Sequence, residues 1–241
     1  MKASNKILII TLLLIVFVGA AVHFTLYGRY KSGRITTEEQ MKKELFDSHA
    51  LPEFRHVRLE GLLNLRILTA DKPRLEVSKR VKDQVHFEIQ SDSLFVWGDT
   101  AAYPASKRIY GPIEEDQETD LYLPPGISIE AASCIIQVSG SRDPAAAPDY
   151  QFHVSSTRLQ FGEFTFLDSL PHYFRRVQIR AERQSEIRFT KNIDSLHAEL
   201  FHSSLLDADG RLAHLDLQAN DFSTVSLSGP DLQFILPGKN K

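Results

Sequence analysis

Three consecutive stretches of 19 residues decide the fold: FRRVQIRAERQSEIRFTKN at 174–192, IDSLHAELFHSSLLDADGR at 193–211 and LAHLDLQANDFSTVSLSGP at 212–230. Aligned on one another, they share seven in-phase positions, at which 18 of 21 residues are apolar against 42% of the whole chain. The other three are serines, Ser185, Ser204 and Ser223. Apolar and polar residues alternate within each stretch, which is the pattern of a half-buried β-strand.

This repeat favours a stacked architecture, because one short repeat cannot bury its apolar face alone. We therefore predict an all-β fold, a parallel β-helix (β-solenoid) with rungs of about 19 residues, over residues 54–236. Two inward columns are expected, one of Val177, Leu196 and Leu215 and one of Ile187, Leu206 and Val225. A partial fourth copy begins at Phe234 and Leu236. Pro237 then ends the stack, since proline cannot donate to a further ladder.

The polar residues of the repeat also favour stacking. The predicted register places three pairs side by side: Arg180 with Glu199, Arg188 with Asp207, and His197 with Asp216. Opposite charges on neighbouring strands contribute about 0.2–1 kcal/mol each. The serine column is expected to cap backbone groups at a corner of each repeat.

The same alternation begins at Phe54 and continues through segments such as Leu63–Ile67 and Val85–Ile89. Two polar breaks interrupt it, at 99–118 and 141–149, and both are predicted loops.

The N-terminal segment has a different character. Residues 7–27 carry no charge, and as a helix they would be roughly 30 Å long, which matches a bilayer core. We predict a transmembrane helix or uncleaved signal anchor here, preceded by a cytoplasmic tail at 1–6. The alternative is a cleaved signal peptide with its cleavage site at Gly19-Ala20-Ala21.

Residues 28–53 are predicted to be a tether. A capping-box pattern at Thr36–Glu39 indicates a short helix through about Phe46. Residues 237–241 form a C-terminal tail. The expected location is the bacterial inner membrane, single-pass, with the C-terminal domain in the periplasm, or the cell surface if the segment is cleaved and the protein re-exported.

Charge and cysteine content exclude several classes of protein. Residues 1–34 contain five basic residues and no acidic one, so the rest carries 31 acidic against 23 basic residues. An acidic body argues against nucleic-acid binding, which needs a basic face. Cys134 is the only cysteine, which excludes an intramolecular disulfide and a cysteine-rich zinc site.

Several stretches of the body resemble a known family. They are His56–Gly61, Asn64–Ile67 and Leu75–Val77, then Asp92–Val96 and Asp120–Pro125, then Ile127–Ala131, Ile136–Gly140 and the 19-residue repeats. The chain resembles, over about 54–236, the "putative autotransporter adhesin, head GIN domain" family. The resemblance implies an exported bacterial β-helical domain of a kind common in Bacteroidota, with no defined molecular function. The chain departs from the family pattern in having few glycines at the repeat turns and in carrying the two polar breaks.

Motifs for catalysis are weak. His197-Ala-Glu199 matches half of a zinc-deaminase signature, but the required cysteines are missing. His197, Glu199 and His202 carry side chains of metal-binding type, but His202 falls in the turn, so a solvated polar face is the favoured interpretation. Carbohydrate lyases cluster acids on one outward face, for which Asp207, Asp216 and Asp221 are the candidates. We expect no catalytic residues, no cofactor and no metal.

Aromatic residues mark a possible binding surface. The segment 150–174 is rich in aromatics, among them Phe161, Phe164, Phe166 and Tyr173. Such density suits carbohydrate or protein contact, or else fills the core at an irregular repeat. Phe201 and Phe222 fall at outward or turn positions, where they could form an exposed patch or pack under a loop.

These observations predict a non-catalytic, membrane-anchored envelope protein that presents an adhesin-like interaction domain outside the cytoplasm. Its expected partners are the inner membrane, through residues 7–27, and an envelope protein or glycan; nucleic acid is excluded. Two alternatives remain: a polysaccharide-acting β-helix enzyme, and an envelope sensor or regulator.

Overall fold

The N-terminal segment forms one long helix in the computed structural model, which describes residues 3–33, 38–99, 119–162, 172–220 and 222–228. The chain divides into two compact units, Met1–Leu45 and Phe46–Lys241. In the first unit, helix α1 spans Ala3–Lys31 and helix α2 spans Glu38–Leu45. Within α1, Ile10–Lys31 is long and apolar enough to cross a membrane. A membrane anchor and a signal sequence share these properties.

The second unit is built from β-strands. They are β1 Phe46–Ala50, β2 His56–Glu60, β3 Leu63–Thr69, β4 Arg74–Ser78, β5 Val85–Gln90, β6 Ser93–Gly98, β7 Thr119–Leu123, β8 Ser128–Ala132, β9 Ile135–Val138, β10 Asp149–Ser155, β11 Arg158–Phe161, β12 Tyr173–Glu182, β13 Glu186–Phe189, β14 Asn192–Leu200, β15 Leu205–Asp209, β16 Leu212–Ala219 and β17 Thr224–Ser228. A 3-10 turn lies at Pro144–Ala146, within the predicted break at 141–149. The break at 99–118 lies mostly outside the described residues.

The strands form two large sheets. The nine-stranded sheet has the order β1-β4-β7-β3-β9-β11-β13-β15-β17, and the eight-stranded sheet has the order β16-β14-β12-β10-β8-β2-β6-β5. Because β1 pairs with β4 in the first sheet, the sheet-forming unit begins at Phe46, inside the segment 28–53 that the sequence predicts to be a tether.

The predicted parallel β-helix is wrong. The described strands form a sandwich of two mixed sheets and do not close into a solenoid. Strand β5 turns back on β6 across Ser91 and Asp92, and β4 runs antiparallel to both of its neighbours, β1 and β7. A β-helix needs every strand to advance in one direction. Alternation of apolar and polar residues identifies strands but does not encode their direction, so the sequence pattern could not show these reversals.

The pairing register of the 19-residue repeat is nevertheless observed. In the eight-stranded sheet Val177 pairs with Leu196, and Leu196 pairs with Leu215. In the nine-stranded sheet Ile187 pairs with Leu206, and Leu206 pairs with Val225. Each repeat thus gives one strand to each sheet, and stacking in register keeps the apolar residues of successive repeats together.

The core lies between the two sheets and draws residues from both. Leu59 and Ile129 of the eight-stranded sheet and Leu65 and Leu121 of the nine-stranded sheet belong to one buried cluster. Burial decreases in the last repeat, where Leu215 and Leu217 are partly buried and pack against this cluster. The reason is their position on β16, which has only one partner strand among the described residues.

The corners between the sheets use non-glycine residues with positive φ. These are Ser133, Ser156, Arg183, Gln184, His202 and Ser203, with φ between 49° and 63°. An L-residue pays about 1–2 kcal/mol for this conformation. Backbone bonds between successive corners, such as Ser133 N to Ser155 O at 3.0 Å and Gln184 N to His202 O at 3.0 Å, offset that cost.

The serine column caps these corners as predicted. Ser185 Oγ donates to Glu182 O at 2.6 Å, and Ser204 Oγ donates to Phe201 O at 2.7 Å. Ser223 Oγ instead bonds to the side-chain Oδ1 of Asn220 at 2.8 Å.

Candidate binding face

The outward side of the eight-stranded sheet presents a continuous polar surface, which we call the outer face. In each strand every second residue points away from the core, as in the exposed-buried alternation of β2. Register pairing aligns one row across seven strands: Phe95, Arg58, Glu130, His153, Arg180, Glu199 and Gln218. Because the sheet fixes the backbone, the positions of these side chains are fixed to within their rotamers.

On strands β10 to β16 the charged groups of the outer face satisfy one another. Arg180 Nε donates to Glu182 Oε1 at 3.0 Å and lies 3.8 Å from a carboxylate oxygen of Glu199. The hydrogen bond from Arg180 lowers the pKa of Glu182 below its ordinary value. His197 Nδ1 lies 2.8 Å from Asp216 Oδ2. This half of the face is rich in ion pairs, although the exposed Arg176 on β12 has no ion pair or hydrogen bond through its side chain among the described residues.

On strands β2, β6 and β8 the situation differs. Arg58 and Glu130 are exposed and occupy paired positions on neighbouring strands. Within the described part of the chain, neither has an ion pair or a hydrogen bond through its side chain. The half-buried ring of Phe95 lies in the same row and stacks on no other described ring. These side chains are therefore available to a ligand.

The same residues line a hollow of about 330 Å³ on the outer face. Its lining is His56, Val57, Arg58, Ser93, Phe95, Ser128, Glu130 and His153. Beside Phe95 on the same strand, Trp97 extends the aromatic surface, and its indole lies 5.7 Å from the His86 ring, centroid to centroid. We call this region, centred on Arg58, Phe95 and Glu130, the aromatic hollow.

A larger cleft of about 920 Å³ adjoins the aromatic hollow, because His56 and Ser128 line both. Three connections form it: 51–55, 71–73 and 124–127. Four of its lining residues are prolines. Because proline fixes φ, the walls of the cleft are rigid before any ligand binds. Charged groups also line it, among them Arg55, Asp71 and Lys72. The two depressions therefore have His56 and Ser128 as a shared wall.

The aromatic residues singled out from the sequence do not form this site. Phe161 is fully buried, with its ring 4.4 Å from that of Phe189 and 5.3 Å from that of Phe174, and belongs to the core. It therefore cannot contribute to a binding surface. Phe164 and Phe166 lie outside the described residues.

The other three predicted residues are accessible but scattered. Tyr173 is half-buried at the start of β12, and Phe201 is half-buried with its ring 5.2 Å from the Arg180 guanidinium carbon. Phe222 is 78% exposed, in the turn between β16 and β17.

The acidic residues considered for catalysis are separated by the fold. Asp207 lies on β15 of the nine-stranded sheet, whereas Asp216 lies on β16 of the eight-stranded sheet. Asp221 lies outside the described residues. In the described part of the chain, no group of three His, Cys, Asp or Glu side chains is placed to hold a metal ion.

The residues of the aromatic hollow were missed by sequence reasoning. The alternation of β2, β6 and β8 does place Arg58, Phe95 and Glu130 at outward positions. Their proximity depends on β2 lying between β6 and β8, and no repeat or motif in the sequence signals that arrangement.

Comparison with known proteins gives only distant likenesses. No family model matches the chain, and no curated protein matches it. Among solved structures, a protein from Bacteroides fragilis described as a "putative adhesin" matches with a TM-score of 0.35 and 8% identity, over 76% of this chain and 96% of its own. A "putative adhesin" from Parabacteroides distasonis matches with a TM-score of 0.36 and 8% identity, over 76% and 95%.

A third structure, a "putative lipid binding protein" from Parabacteroides distasonis, matches with a TM-score of 0.30 and 8% identity, over 77% of this chain and 94% of its own. These similarities lie below the values from which a shared family follows, and they do not establish the family that the sequence resembles.

Proposed function

We propose that this chain is a non-catalytic envelope protein, held in the membrane by α1, whose sheet domain binds an extracytoplasmic partner. One observation carries the proposal: part of the outer face is an ion-pair network, whereas Arg58, Glu130 and Phe95 have no side-chain partner among the described residues and line one hollow. Unpaired groups gathered in a hollow on a rigid sheet are what a binding surface requires, because little is lost in ordering them.

The absence of catalysis is part of the proposal. General acid–base chemistry needs carboxyl or imidazole groups that converge on one reacting atom. Asp207 and Asp216 lie on different sheets, and Asp216 is engaged by His197. Glu130 is the single carboxylate that lines the aromatic hollow, with Arg58 as its register neighbour. Of the two histidines there, His153 lies 3.6 Å from the carboxylate of Glu182.

The location is proposed from the character of α1. An apolar helix of this length supports a single-pass membrane protein. We propose that the membrane is the inner one and that the body lies in the periplasm, because the body has the pattern of an exported β domain. Full-length protein should pellet with membranes and resist carbonate extraction, and protease added to spheroplasts should digest the body. A soluble product that starts near Val22 would show a cleaved signal peptide instead.

Binding and catalysis can be separated in one experiment. Full-length protein in nanodiscs is exposed to envelope proteins and glycans, and both retention and cleavage are recorded. We expect retention of a partner without cleavage, and loss of that retention in Arg58→Gln. The matched control is Arg176→Gln, which changes an exposed arginine on β12 of the same sheet. Turnover of a glycan would contradict the proposal in favour of the polysaccharide-acting enzyme.

A further inference from the structure

The chemistry of the aromatic hollow selects one class of ligand. We infer that it binds a saccharide bearing a carboxylate, with Arg58 on the carboxylate and the sugar ring on Phe95. This inference rests on the proposed binding function and assigns its ligand class.

Arg58 supplies the charge. It stands on the central strand β2, with Phe95 on one side and Glu130 on the other. A guanidinium offers two parallel N–H donors that match a carboxylate, and it stays charged at all relevant pH values. Its exposed position and lack of a described partner leave those donors available.

Phe95 supplies the apolar surface. Phe95 is half-buried and lines the hollow, so part of its side chain is accessible to a ligand there. Sugars present a face of C–H groups that packs on an aromatic ring while their hydroxyls remain free for hydrogen bonds. Trp97, two residues along the strand, provides a second ring for a neighbouring sugar unit.

Glu130 and the two histidines complete the polar contacts. The Glu130 carboxylate accepts hydrogen bonds only, which suits sugar hydroxyls. His56 and His153 line the hollow on either side of it. A volume of about 330 Å³ is at the lower end of the range for ligand sites, which fits one or two sugar units. The adjoining cleft, shared through His56 and Ser128, gives room for further units of a chain.

The test compares acidic sugars with neutral counterparts of the same shape. Full-length protein in nanodiscs is titrated with tri-galacturonate and galactotriose, and with sialyllactose and the methyl ester of its carboxyl group. We expect at least one acidic sugar to bind about tenfold or more tightly than its neutral counterpart, since hydrogen bonds to charged groups have this magnitude. Arg58→Gln should abolish that preference.

Phe95→Ala should weaken the acidic and the neutral member of the pair alike. The matched control is Phe222→Ala, an exposed phenylalanine outside the hollow, which should leave both affinities unchanged. Circular dichroism verifies that each variant keeps its sheet content. Equal affinity for acidic and neutral sugars, absence of binding to all four, or a preference that survives Arg58→Gln would overturn the inference. If the protein binds none of the four sugars but retains a protein partner, the inference is overturned while the binding function itself stands.

Discussion

The substitution Phe161→Ala tests whether Phe161 belongs to the core or to a binding surface. Its ring is fully buried and meets those of Phe152, Phe174 and Phe189 at centroid distances of 5.6, 5.3 and 4.4 Å. Removing a buried phenylalanine costs about 3–5 kcal/mol. Loss of three ring contacts places this substitution at the upper end of that range, about 4–5 kcal/mol.

The assay is urea unfolding of residues 46–241, followed by the fluorescence of Trp97, the single tryptophan of the chain. With an unfolding slope of about 2 kcal/mol per molar urea, the midpoint should fall by about 2 M. A loss of this size is a large fraction of a typical domain's stability of about 5–15 kcal/mol.

Phe222→Ala is the control for this measurement. The same atoms are removed from a side chain that is 78% exposed, so the free energy of unfolding should change by less than about 0.5 kcal/mol. Equal midpoint shifts for the two variants would refute the placement of Phe161 in the core and reopen its assignment to a binding surface.

Three further predictions concern ionisable groups. Arg66 donates two hydrogen bonds of 2.7 Å to the fully buried carboxylate of Asp120. Arg66→Met leaves that charge buried without its partner, so the free energy of unfolding measured in urea should fall by about 3–5 kcal/mol. The double variant Arg66→Met/Asp120→Asn should recover part of the loss. Burial raises the pKa of the Cys134 thiol to about 12, so iodoacetamide at pH 8 should label it only after unfolding; rapid labelling of the folded protein would contradict this. The hydrogen bond from Arg175 lowers the pKa of Asp149 below its ordinary 3.8. The pair therefore stabilises the fold above that value, and its contribution is lost as the pH falls through the folded-state pKa. Asp149→Asn should flatten the fall of Tm below about pH 5, and a Tm profile identical to that of the unchanged protein would exclude the effect.

The sequence predicted the local pairings of the fold. Strands β12, β14 and β16 each come 19 residues apart, and each pairs with the strand one repeat away. Such pairings are visible in a sequence because equivalent residues share burial and, where both are charged, carry opposite charges. Arg180 beside Glu199 and His197 beside Asp216 are both found where the repeat placed them.

The N-terminal half could not be predicted in this way. Strand β2 pairs with β6 and β8, and β7 lies between β3 and β4. These neighbours come from distant parts of the chain that share no repeat. The aromatic hollow depends on those pairings. The sequence pattern therefore did not indicate Arg58 and Phe95 as binding residues, whereas it did indicate Phe161. Aromatic density along the sequence indicated the core at that position, because large rings supply most of the buried volume.

The interleaved order of the early strands has a consequence for the time course of folding. Strand β2 lacks its neighbour β8, and β3 lacks its neighbours β7 and β9, until residues 119–138 have been synthesised. Closing such long loops is slow, and unpaired strand edges left waiting are prone to aggregation. Once β8 and β9 are in place, each later strand docks on one made a single repeat earlier. A chain truncated before residue 138 should therefore be sensitive to protease, whereas chains truncated after it should keep a protected body that grows by one strand per sheet with each further repeat.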